Sequence, residues 1–168
     1  MEIDKGVIMM KKLMQPIDYF VRVFFIVIAF IIASAFAEAG SKIETANSAV
    51  SELQSTLSQS FYYCDVYYYE EMDRIMIRVA VDGLADLVYP LIEAGYDETF
   101  EAWAEYRSNI VLMYDTLLEY VHQNYRDDLT ITFHLVSDID TSRDFISING
   151  GTKSVFDILK FQSAMQNK

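Results

Sequence analysis

The one local cluster with the chemistry of a metal ligand set is Asp138-Ile139-Asp140-Thr141-Ser142-Arg143-Asp144. Alternating Asp-x-Asp-x-Ser supplies oxygen donors as the opening of an EF-hand loop does. The rest of that pattern fails: Arg143 stands where the sixth position needs glycine, and Asn149 where the twelfth needs glutamate. A solvated hairpin loop is the expectation. His122 and His134, the two histidines, fall late in a helical pattern and on the polar side of an alternating one. They lack the spacing that brings two imidazoles onto one zinc ion, so no metal or other cofactor is expected. No G-x-S-x-G, phosphate loop or dinucleotide fingerprint occurs. With 25 Asp and Glu in 168 residues, no carboxylate pair stands out as a glycosidase pair. The expectation is a protein that is not an enzyme.

A second chemistry is recognition. Tyr62, Tyr63, Tyr67, Tyr68 and Tyr69 crowd around Cys64, and each offers a flat apolar ring with a hydroxyl. With Trp103 they are the candidate interaction residues; the alternative is that these rings fill a core. Cys64 is the only cysteine, which rules out an internal disulfide framework and reads as a buried, inert thiol.

The elements that must position these groups begin with an apolar run, Tyr19 to Ala37, broken by one charge, Arg22. Its 19 residues approach the length that crosses a bilayer. Two readings fit. Residues 19–37 are a transmembrane helix behind a cytoplasmic tail of residues 1–18, with Tyr19 at the interface and Arg22 reaching back to the headgroups. Alternatively, Val23 to Ala33 is the core of a signal peptide, and Ala35-Phe36-Ala37 its small-x-small cleavage site, with Ala35 and Ala37 flanking the bulky residue. In both, Lys5, Lys11, Lys12 and Arg22 lie at or before the run and only Lys42 closely follows, so residues 38–168 are exported.

In the exported part, Ile43, Ala46, Val50, Leu53 and Leu57 form an apolar stripe at helical spacing. Residues 61–69 have strand-like composition but helical neighbours, and lean to helix. Glu70 to Ala94 reads as a second helix with Pro90 near its end. After a turn at Gly95-Tyr96-Asp97, Glu98 to Asn124 reads as a third, with Phe100, Trp103, Ile110, Tyr114, Leu117 and Val121 on one face. Arg107 takes a slot of that face, where it is expected to pair with carboxylates on the Glu105 side of the helix or to stack on Trp103. The period then becomes two: Leu129, Ile131, Phe133 and Leu135 mark a strand, and Phe145, Ile146 and Ile148 a returning one, a hairpin near 129–149. A last helix is expected over Ser154 to Met165.

The predicted fold class is mainly α (α+β): a transmembrane or signal helix, then a small helical bundle with a C-terminal β-hairpin. From Glu38 onward, 22 acidic residues face nine basic ones, a net charge of −13. Such a surface repels nucleic acid, and no nucleic-acid partner is expected. The layout resembles that of pilin-like subunits in arrangement alone, because Lys11 and Lys12 interrupt the apolar run that would have to follow Gly6 directly. The expected function is a single-pass, membrane-anchored envelope protein, its extracytoplasmic domain mediating protein–protein interaction or assembly with other envelope proteins or with itself. The alternative is a secreted soluble binding domain released by cleavage near Ala37.

Overall fold

The computed structural model describes residues 42–152 and 154–166. The tail of residues 1–18, the run 19–37 and the cleavage residues Ala35 and Ala37 lie outside them. No helix among the described residues is long and apolar enough to cross a membrane.

The order of elements is α1 (Lys42–Leu57), β1 (Tyr63–Tyr69), a 3-10 turn (Glu70–Met72), β2 (Arg74–Ala80), α2 (Ala85–Glu93), α3 (Glu101–Asn124), β3 (Thr130–Val136), β4 (Asp144–Asn149), β5 (Ser154–Asp157) and α4 (Ile158–Gln166). The strands form one sheet in the order β1-β2-β3-β4-β5. Neighbours are antiparallel except β2 and β3, which are parallel because the chain crosses over through α2 and α3 between them.

A helical bundle with a lone hairpin is therefore incorrect; the core is a five-stranded mixed sheet with helices against it. Two segments account for the difference. Residues 61–69 are not helical: Tyr63–Tyr69 is an edge strand, as its β-branched and aromatic content favours. Glu70 to Ala94 is not one helix either. In Arg74–Ala80, Ile75, Ile77 and Val79 are buried while Arg74, Met76 and Arg78 point to the other face. That period of two was masked because Met72, Ile75, Met76 and Val79 also fit helical spacing. Further along, Ser154–Asp157 extends the sheet as β5, so the last helix starts at Ile158.

Two rows of side chains run across the whole sheet. Val66, Ile77, Phe133, Ile148 and Val155 are successive partners on one face, and all but Val155 are buried. Helical residues complete this core: Ala46, Ala49, Leu53 and Leu57 from α1, Val88 and Leu91 from α2, and Trp103, Ile110, Leu117 and Val121 from α3. The α1 stripe is rotated from the expected one, since Ile43 is 43% exposed and Ala49 takes its place in the core. The adjacent row, Asp65, Arg78, His134, Ser147 and Phe156, lies on the opposite face, and none of its members belongs to that core.

Local chemistry ends the elements where the topology needs it. Gly95 (φ 76°) closes α2, with Gly95 N–H donating to Ile92 O and Tyr96 N–H to Leu91 O, a Schellman termination that requires the left-handed backbone. Gly150 N–H donates to Ile131 O where the chain leaves β4, and a Cβ there would stand 2.2 Å from that oxygen. Only glycine fits that approach.

Candidate functional site

Because the helices among the described residues pack on one side, the second face of the sheet carries the side chains that the core does not claim. Its rows are Asp65–Arg78–His134–Ser147–Phe156 and Tyr67–Met76–Thr132–Asn149–Ser154, followed by Tyr69–Arg74–Thr130. Alternation along β1 puts Tyr63, Tyr67 and Tyr69 on this face and sends Cys64, Val66 and Tyr68 toward the core.

Arg74, Arg78 and His134 on this face are tied into the frame. Arg74 donates to Thr130 Oγ1 (3.3 Å), Thr132 Oγ1 (3.1 Å) and Asn149 Oδ1 (3.3 Å), bracing three strands. Arg78 donates to the carbonyl of Thr141, which holds the β3–β4 loop against the sheet. His134 Nδ1 lies 2.8 Å from Asp144 Oδ2, while its Nε2 is buried with no hydrogen-bond partner among the described residues. A carboxylate on Nδ1 leaves the Nε2 lone pair of a neutral imidazole as an acceptor, the orientation used by bases and metal ligands. No group of three or more His, Cys, Asp and Glu among the described residues is arranged to hold a metal ion.

The other sequence candidates disperse. Asp138 accepts from the N–H groups of Gly83 and Ala85 (2.8 Å each), capping the start of α2 from the loop. Asp140 turns onto Ser142, whose N–H and hydroxyl both donate to it and hold its carboxyl below the usual range. The two aspartates thus point to separate partners. His122 Nε2 lies 2.9 Å from Leu129 O, a link from α3 to the residue that precedes β3.

Of the candidate interaction residues, Tyr62 is 69% exposed, Tyr67 40% and Tyr69 37%, and Tyr63 is half-buried. Tyr68 faces the core side and donates to Asp73 (2.7 Å), while Tyr69 donates to Glu71 (2.8 Å). Trp103 does not join them. It is buried in α3, its indole N–H donating to both oxygens of Asp157 (3.0 and 3.1 Å). Asp157, also buried, accepts from Arg107 (3.0 Å) and from the Leu159 N–H (2.9 Å) at the start of α4. Arg107 thereby finds a carboxylate beside Trp103, contributed by a strand rather than by its own helix.

Three polar assemblies that no sequence motif announces fasten α1. Gln54 bonds the outer edge of β1 as a neighbouring strand would: its amide donates to Cys64 O (3.1 Å) and accepts from Val66 N–H (2.7 Å). Glu52 accepts hydrogen bonds from the hydroxyls of Tyr120 and Tyr125, and burial, together with that contact, pushes the Tyr125 phenol up. At the start of α1, Arg126 grips Asp73 with two bonds (2.9 and 2.6 Å), bonds Asp128 (2.9 Å) and donates to Lys42 O (3.4 Å). Arg126 and Tyr68 hold the Asp73 carboxyl down at about 2. Burial, with the neighbouring Asp65 charge, pushes the Cys64 thiol up to about 11.

The described residues thus define a two-layer α/β fold, with helices covering one face of the mixed sheet and no helix among the described residues packed on the other. Comparison with protein-family models, with curated proteins and with solved structures gives no match to this chain.

Proposed function

We propose that the chain is a single-pass membrane-anchored envelope protein whose acidic extracytoplasmic domain mediates protein–protein interaction or assembly, and that the open sheet face with the β1 tyrosines is its contact surface. The observation that carries this is the one-sided sheet: Tyr67 and Tyr69 stand on the face that no core cluster claims, and Tyr62, just before β1, is exposed as well. Large amphipathic rings on a stiff strand lose little freedom on contact, which suits them to recognition. The reading is of a binding domain rather than an enzyme. In its support, the polar groups that chemistry would need are largely spent on structure: Arg74 on three strands, Asp138 on α2, Asp157 on Trp103 and α4.

Two measurements test it. The N-terminus of protein recovered from cells is expected to precede Glu38, in the membrane fraction; a chain beginning at Glu38 in the medium would replace this reading with the secreted one. A photo-crosslinking residue in place of Tyr67 is expected to capture a neighbouring protein in intact cells, and the same residue at Leu112, 55% exposed on α3, to capture far less. Equal capture at both positions would refute the assignment of the surface.

A further inference from the structure

The structure also carries an orientation relative to the bilayer, resting on the anchored reading above. The chain enters the domain at Lys42, and that point is clamped. Lys42 Nζ pairs with Asp128 (3.2 Å) and Lys42 O accepts from Arg126, which in turn holds Asp73. Asp73 lies just after the β1–β2 turn and Asp128 in the α3–β3 loop, so three chain segments meet where α1 begins. Five residue steps separate Ala37 from Lys42. Fully extended, they reach about 17 Å, while the headgroup layer on each side of the hydrocarbon is about 5–8 Å thick. The clamp therefore stays within about 10 Å of the headgroups if residues 19–37 cross the membrane.

We propose that this end of the domain is its membrane-facing base, and that Met72 and Ile43 meet the lipid headgroup surface. Met72 is 59% exposed at the tip of the β1–β2 turn and Ile43 43% exposed beside the clamp, apolar side chains with no core to fill. Glu70, Glu71 and Asp127 are exposed at the same end. Their hydration, and their repulsion by anionic lipid, keep the base at the surface and out of the hydrocarbon. Ile139, 69% exposed in the β3–β4 loop, marks the far end. The seven residues of β3 separate the two ends by about 20–25 Å. The sheet then stands upright with its open face turned sideways, accessible to proteins in the same membrane.

The test uses the full chain in phosphatidylcholine vesicles, with a nitroxide on Met72→Cys or on Ile139→Cys, labelled at neutral pH where Cys64 reacts slowly. Collision with a headgroup-bound nickel chelate is expected to relax the Met72 label strongly and the Ile139 label weakly. Equal relaxation, or stronger relaxation at Ile139, overturns the orientation while leaving the anchor intact. Extraction of the chain by alkaline carbonate would overturn the anchored reading, and the orientation with it. A fluorophore pair of the same design, with quencher lipids, repeats the comparison should either nitroxide variant misfold.

Discussion

Replacing Asp157 by alanine is the sharpest test of how the far edge of the sheet is held. Its side chain is 2% exposed and serves Trp103, Arg107 and the first turn of α4 at once. Removing one member of a buried ion pair costs about 3–5 kcal/mol when the partner is left buried. Arg107 is 30% exposed, so its guanidinium recovers water and the cost falls toward the lower end. The orphaned indole N–H adds about 1–3 kcal/mol, and the lost helix cap about 1 kcal/mol. These penalties overlap, because the same relaxation relieves several of them, and the expected loss is about 3–4 kcal/mol. Against a typical domain stability of about 5–15 kcal/mol, that is a large fraction. Urea unfolding of the full chain reads it directly, since Trp103 is the only tryptophan and sits on the altered carboxylate. Asp157→Asn keeps an acceptor for the cap and is expected to cost about half as much. In an Arg107→Met background, Asp157→Ala should cost at least 1 kcal/mol less, roughly the coupling of a contacting pair. A loss below about 1 kcal/mol for Asp157→Ala, or no coupling to Arg107, would refute the assignment of Asp157 as the hub of this edge.

Asp73 has its carboxyl lowered from 3.8 to about 2, so its contribution is complete above pH 4 and disappears as pH falls through about 2. Its side chain is 42% exposed, which screens the effect, and Asp73→Asn is expected to flatten only part of the acid-unfolding profile between those limits; an unchanged profile would contradict the clamp. Gln54→Leu removes both bonds to β1 and should cost about 1–2 kcal/mol, with light scattering that rises with concentration as the bared edge finds partners. Monodisperse behaviour with unchanged stability would show that Gln54 does not protect that edge. Cys64, its thiol pushed up to about 11, should react with an aromatic disulfide at pH 7.5 far more slowly in the folded chain than in urea, and equal rates would place it outside the packed structure.

The long helix α3 and the strand β3 are visible in the residues themselves. Glu101–Asn124 and Thr130–Val136 lie close to where their periods of 3.6 and 2 place them. Arg74–Ala80 misleads because a seven-residue strand set between a turn and a helix shares enough apolar positions with a helix to satisfy both templates. Tyr63–Tyr69 misleads for a different reason: as an edge strand it has a neighbour on one side only, and its outer edge is satisfied by Gln54, a side chain no strand pattern announces. Once β1 and β2 are taken for helix, the hairpin of β3 and β4 has nothing to pair with, and a bundle follows.

The candidate surface is harder still to read in advance, because it is made by register rather than by motif. Asp65, Arg78, His134, Ser147 and Phe156 lie on five different strands and become neighbours only when all four pairings are in place. A slip of one residue in β1 would turn Tyr63, Tyr67 and Tyr69 into the core and bring Cys64, Val66 and Tyr68 out. The outward display of Tyr63, Tyr67 and Tyr69, on which the proposed contact surface rests, is thus a property of the Val66–Ile77 alignment, and that alignment is held by burial of both residues and by Gln54 at the strand's outer edge. Gln54 belongs to the helix that starts at the clamp on Lys42. The same helix therefore helps set which β1 side chains face outward and begins at the clamp where the chain enters the described domain, so a disturbance at Lys42, Arg126 or Asp73 is expected to reach the tyrosine face through α1.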